Sequence, residues 1–177
     1  LIGEYVFINY PLWIFDNGTL TNTQIDNENY TVAILPLRDN RRIYYGMDLI
    51  ISETNMKISY AGPRIIFRYK DDGNYVCFGF FNDGNVHLIN RDSSGLSIIK
   101  SVAFKLETGR KYNIAIISSQ TKVSLLIDGN TVMEYEGNEM NPTPPNVGVY
   151  AAYSQLIASE ITAFDPDSQS GDLPDEV

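Results

Sequence analysis

The stretch VSLLIDGNTVMEYEG, Val123–Gly137, is two runs of alternating side chains joined at Asp128-Gly129. Strict alternation is the period of a strand, whose successive side chains point to opposite faces. Asp-Gly is the signal of a two-residue type I′ hairpin, because both central residues of that turn need positive φ. Val123, Leu125 and Ile127 fall on one face of the first run and are predicted to point into a core.

The same pattern extends outward in both directions. Upstream, EYVFINYPLWIF leads into the turn triplet Asp16-Asn17-Gly18 and then TLTNTQI. YTVAILPL, the charged loop RDNRR, and the long runs RIYYGMDLIIS and PRIIFRYK follow. Asp71-Asp72-Gly73-Asn74 turns the chain into YVCFGFF, and Asn82-Asp83-Gly84-Asn85 turns it into VHLINR. SIIKSVAFKL and KYNIAIISS precede the opening hairpin, and the proline cluster NPTPPN precedes VGVYAAYSQLIASEITAF. No window of eleven residues carries an apolar stripe at helical spacing; a single helical turn could fit at PLRDNRR or SQLIAS. Short strands with turns every 8–12 residues predict an all-β sandwich or barrel.

Composition sets the remaining bounds. At 177 residues the chain suits one domain, able to bury roughly 70% of its unfolded surface. Twelve Tyr and eight Phe suit half-buried pleated surfaces. The net charge of −9 disfavours nucleic acid and anionic membranes, which are held by clustered Lys and Arg. One cysteine and one histidine exclude an internal disulfide and the usual zinc ligand sets. Cys77, inside the apolar run YVCFGFF, is predicted to be a buried thiol. After Phe164 the sequence DPDSQSGDLPDEV is acidic and nearly devoid of apolar residues, which predicts a linker or tail over 165–177 beyond a domain at 1–164. Its aspartates, Asp165, Asp167, Asp172 and Asp175, also form a partial calcium-loop pattern, so structural calcium enters as an expectation while no cofactor is required. A chain that opens on Leu1 reads as a piece of a larger protein, and its composition fits an extracellular or cell-surface setting. The sequons at Asn17 and Asn29 are near what chance provides and carry no assignment.

A family resemblance sharpens the fold. Trp13 with Gly18, Gly62 through Arg68, Gly109 with Tyr112, Asp128-Gly129 and Asn146-Val147-Gly148 occur in the order seen in concanavalin A-like jelly rolls. Closest in pattern are laminin G-like domains and the carbohydrate-binding modules appended to bacterial glycosidases. The resemblance covers about residues 5–164 and rests mostly on core and turn positions; the insert between Asn22 and Asp48 departs from it. It implies an antiparallel β-sandwich of the jelly-roll type, with Trp13 near the core.

Because that fold also hosts glycoside hydrolases, paired carboxylates matter. Retaining hydrolases need two carboxyl groups about 5–5.5 Å apart. The nearest pair here, Glu134 and Glu136, lies two residues apart just past a hairpin with no third carboxylate, which reads as a solvated strand face. His87 has no Ser or Cys nucleophile in a recognisable setting and reads as an outward-facing strand residue.

Alternation along PRIIFRYK places Arg64, Ile66 and Arg68 on one face and Ile65, Phe67 and Tyr69 on the other. In the following strand Val76, Phe78 and Phe80 form the core face, opposite Tyr75, Cys77, Gly79 and Phe81. Arg68 and Tyr75 are therefore expected on the non-core face of one hairpin, where an Arg fork beside a ring suits sugar hydroxyls or a carboxylate. The same two residues would serve the sheet if Arg68 stacked on the ring and paired with an aspartate. Tyr150, with Tyr153 beyond two alanines, is a further groove candidate. The expected ligand-binding set is Arg64, Arg68, Tyr75 and Tyr150. The expected function is a non-catalytic carbohydrate-binding module within a larger extracellular protein, its partner a glycan. The alternative is a structural or adhesive domain contacting another cell-surface protein. An aromatic-lined open face would favour the first, and a filled face with exposed strand edges the second.

Overall fold

The Asp128-Gly129 turn has φ of +50° and +80°, as a type I′ hairpin requires. Asn17-Gly18, at +48° and +74°, builds the same two-residue turn. The computed structural model describes residues 6–8, 13–22, 31–35, 42–141 and 146–164. The predicted linker at 165–177, its calcium pattern, the sequon at Asn29 and most of PLRDNRR lie outside them.

Among the described residues there are fourteen strands and no helix. They are β1 (Val6–Ile8), β2 (Trp13–Asp16), β3 (Thr19–Asn22), β4 (Thr31–Leu35), β5 (Arg42–Thr54), β6 (Gly62–Asp71) and β7 (Asn74–Phe80). They continue as β8 (Asn85–Asp92), β9 (Gly95–Ala103), β10 (Lys111–Ser119), β11 (Lys122–Ile127), β12 (Asn130–Glu136), β13 (Val147–Ala152) and β14 (Ser154–Phe164). Two seven-stranded sheets result, ordered β1-β4-β13-β6-β7-β8-β9 and β12-β11-β10-β5-β14-β3-β2. All their pairings are antiparallel, and the architecture is the jelly-roll sandwich that the resemblance implied.

Alternation positions the core. Val123, Leu125 and Ile127 are buried, and the intervening Ser124 and Leu126 are half-buried, so the register read from the hairpin holds. They meet Tyr45, Met47, Leu49, Ile114 and Ile116 of their own sheet, and Ile65, Phe67, Val76, Phe78, Val86 and Leu88 of the other. Trp13 joins this cluster at 1% exposure. Each such large apolar side chain contributes about 1.5–3 kcal/mol by leaving water.

One feature differs from expectation, and one is added. SQLIAS is no helical turn but the start of β14. The run VGVYAAYSQLIASEITAF is two strands in different sheets, and the chain crosses between them at Tyr153, whose φ is +48°.

Candidate functional site

A β-bulge in β6 decides which side chains meet. Ile66 pairs with Cys77, but Arg68 pairs with Val76, so Phe67 and Arg68 together oppose one residue of β7. Phe67 stays in the core, and the bulge resets the alternation after it. Arg68 and Tyr75 therefore do not share a face, which corrects the expected pairing. Arg68 lies on the side of core-facing Val76, is buried, and donates from Nη2 to the backbone carbonyl of Ser119 at the end of β10 in the opposite sheet. Burial lowers its pKa. Tyr69, read as core-facing, turns instead to the outer face beside Tyr75.

On that outer face Arg64 is the arginine that meets Tyr75. Its Nη1 donates to the Tyr75 hydroxyl at 3.1 Å. A continuous row runs through it, because Tyr150, Arg64, Gly79, His87 and Ser101 are successive register partners across β13, β6, β7, β8 and β9. The row has no side chain at Gly79, and the Phe81 ring occupies that gap. A Cβ built on Gly79 would stand 2.6 Å from Phe81 Cε1 and 2.8 Å from Ile89 Cδ1. Phe81 thus reaches Arg64, 5.4 Å from ring centroid to guanidinium carbon, and His87, 4.6 Å between ring centroids. The Tyr150 ring lies on Arg64 too, at 4.9 Å.

His87 does lie on the outer face but is buried there, with Phe81 against it. Its Nδ1 is hydrogen-bonded to Ser101 Oγ at 2.6 Å and its Nε2 to Asp83 Oδ2 at 2.8 Å. The other Asp83 oxygen accepts from the Asn85 amide at 2.9 Å. Both oxygens of the carboxylate nearest the row are therefore engaged.

Arg64 is in a different position. It is 8% exposed, and its Nε is enclosed without an acceptor. It forms no ion pair with any described residue. Burial pulls its pKa down, yet Cys77, Tyr75 and Tyr150 around it leave the value raised overall, and the guanidinium stays charged. Withdrawing a charge from water costs several kcal/mol. Two ring contacts at about 0.5–2 kcal/mol each and one hydrogen bond offset only part of that.

Around this arginine, Ile66, Tyr69, Tyr75, Cys77, Ile89, Tyr150 and Ala152 form a second apolar cluster, distinct from the sandwich core. Burial raises the Tyr75 phenol and pushes the Cys77 thiol up to about 12, so Cys77 is the inert buried thiol predicted. Arg91, which the sequence reading passed over, is the register partner of Tyr75 on β8, and its Nε is likewise enclosed without an acceptor. Tyr75 and Tyr150 are both about 4% exposed, so their faces are taken up by protein contacts. The half-exposed rings beside them are Phe81 and Tyr153, with Tyr60 packed edge-on against Tyr153 at 5.9 Å.

The other candidates lie elsewhere. Glu134 and Glu136 are exposed on edge strand β12. A cleft of about 360 Å³ opens where the β2–β3 turn meets the β14 bulge, lined in part by Phe15, Asn17, Ser159 and Glu160. Among the described residues no three His, Cys, Asp or Glu side chains gather as a metal site would need.

Comparison with known proteins separates fold from sequence. No protein-family model matches the chain, and no curated protein does. Solved structures match along almost its whole length. The carbohydrate-binding module CBM66 from Bacillus subtilis superposes with a TM-score of 0.72 at 11% identity, covering 93% of this chain and 97% of that one. This chain has that module's fold. The Caenorhabditis elegans galectin LEC-6 matches at 0.56 and 12% identity over 84% of this chain and 99% of its own. A sialidase matches at 0.66 and 10% identity, with 94% of this chain covering 17% of the enzyme.

Proposed function

We propose that the chain is a carbohydrate-binding domain whose ligand face is the outer side of the β6–β7–β8 sheet. The observation that carries this reading is the row Tyr150–Arg64–Phe81–His87, which sets a planar cation and partly exposed aromatic rim on one sheet face. Aromatic rings take the C–H faces of sugars, and an Arg fork donates to their oxygens. The end-to-end likeness to CBM66 supports the class. Within the proposed set Arg64 contacts ligand, Phe81 and Tyr153 supply ring surface, and Tyr75 and Tyr150 hold the arginine. Arg68 serves the sandwich.

The proposal extends to a non-catalytic role within a larger extracellular protein. The exposed, isolated Glu134 and Glu136 support the first point, and the acidic, cysteine-poor composition supports the second. Few direct contacts imply weak binding, because each hydrogen bond nets about 1 kcal/mol against water. A dissociation constant in the high-micromolar to millimolar range follows, about 4–6 kcal/mol. The test is a glycan array with and without calcium, followed by titration of the hits against wild type and Phe81→Ala.

A second reading has its own observation. Edge strand β9 exposes Leu96 and Ile98, at 43% and 50%, and an unpaired apolar edge can accept a strand from another protein. If the array stays blank while Ile98→Lys abolishes self-association or partner binding, the adhesive reading replaces the first.

A further inference from the structure

Arg64 and Arg91 flank Tyr75 on one sheet face, from β6 and from β8. Each has a guanidinium Nε enclosed in protein with no acceptor, and neither is ion-paired with a described residue. This occurs in a chain with 22 acidic and 13 basic residues, where acidic partners are abundant. The acids close to the face are already engaged: Asp83 by His87 and Asn85, and Asp72 by the Tyr69 hydroxyl at 2.8 Å. By contrast the exposed Arg110 has its carboxylate, Asp128, at 3.4 Å. Arg68 shares the unsatisfied Nε, but it faces the other sheet and bonds the Ser119 carbonyl there, whereas Arg64 and Arg91 stand on the outer face with no carboxylate partner among the described residues. Buried charges in folded proteins are otherwise paired.

We infer that the ligand supplies the missing charge, and that the glycan bound at this face is an acidic one, carrying a sugar carboxylate. This deepens the carbohydrate-binding reading and rests on it. A carboxylate suits this face because its oxygens accept charge-assisted N–H bonds from a guanidinium, and with the Nε of Arg64 enclosed these bonds come from its Nη end. The Phe81 ring, partly exposed beside the arginine, and the Tyr153 ring, packed against the same apolar cluster, then take the sugar's C–H face. Arg91 adds the second positive charge across Tyr75.

The experiment titrates the whole chain with matched pairs of oligosaccharides: uronic acid and sialic acid oligomers against the methyl esters of the same oligomers. Sulfated oligosaccharides form a third arm. The free acids are expected to bind at least tenfold tighter than their esters, and to weaken severalfold between 50 and 500 mM salt while the esters do not. Arg64→Met should abolish the preference. Arg64→Lys keeps the charge without the fork and should lose most of it, and Arg91→Met should reduce it, each with melting temperature measured alongside. Equal binding of acid and ester overturns the inference while the carbohydrate reading stands. Tighter binding of sulfated glycans overturns the carboxylate assignment. Binding of no glycan in any arm overturns both.

Discussion

Arg64 and Tyr150 are direct register partners on β6 and β13, and the guanidinium carbon stands 4.9 Å from the tyrosine ring centroid. Phe81 reaches the same guanidinium at 5.4 Å from just past the end of β7. The arginine is thereby held between rings with its terminal nitrogen on Tyr75. Such pre-organisation lowers the entropy lost when a ligand arrives.

Tyr75→Phe removes that hydrogen bond and little else. A bond to a charged group contributes about 1.5–3 kcal/mol, so a drop of that order is expected in the stability measured by urea denaturation. Glycan affinity should fall severalfold, because the guanidinium loses its anchor. Unchanged stability would show that the Tyr75 hydroxyl does not hold Arg64.

Arg68→Ala should act on stability alone. Its guanidinium bonds the Ser119 carbonyl in the opposite sheet, and losing it leaves that end of the sandwich without its cross-sheet tie. A loss of about 1.5–3 kcal/mol is expected, with glycan affinity within twofold of wild type. A large affinity loss at normal stability would return Arg68 to the ligand site.

The contrast between the two arginines shows what the sequence could and could not convey. Turn residues and period-two alternation are enough for the strands, the Asp128-Gly129 hairpin and the outer position of Tyr75 and Cys77, and the family resemblance supplies the burial of Trp13. Arg68 and Tyr69 lie on the faces opposite to those that alternation predicts, because one extra residue at the bulge reverses everything after it and no turn residue marks that bulge. The burial of His87 depends on Phe81 folding back over Gly79, a contact between strands that alternation along one strand cannot contain. Gly79 was visible; what lay over it was not.

Leu125→Ala tests the core register. Its side chain is fully buried between the sheets, and such truncations cost about 2–5 kcal/mol. The denaturation midpoint should fall accordingly. An unchanged midpoint would mean that the hairpin is shifted by one residue.

Cys77 provides a pH-dependent check. Burial raises its folded-state value to about 12, against roughly 8.5 for a free thiol. The folded protein therefore keeps a proton that the unfolded chain releases. Stability from this group is complete below about pH 8.5 and is lost as pH rises toward 12. At pH 8 the native protein should resist a disulfide-exchange thiol reagent, and one thiol should react on unfolding in urea. Rapid labelling of the native state would show that the outer cluster around Tyr75 and Tyr150 is open.

Glycan binding at the outer face of the β6–β7–β8 sheet is proposed to run through Arg64. Isothermal titration of a glycan identified on the array, into wild type and Arg64→Met, tests it most directly. Wild type should bind in the high-micromolar to millimolar range, the variant at least tenfold more weakly, with melting temperatures within a few degrees of each other. Equal affinity in two equally folded proteins would contradict it and move the site to another face, with the cleft at Phe15 and Glu160 the next place to test.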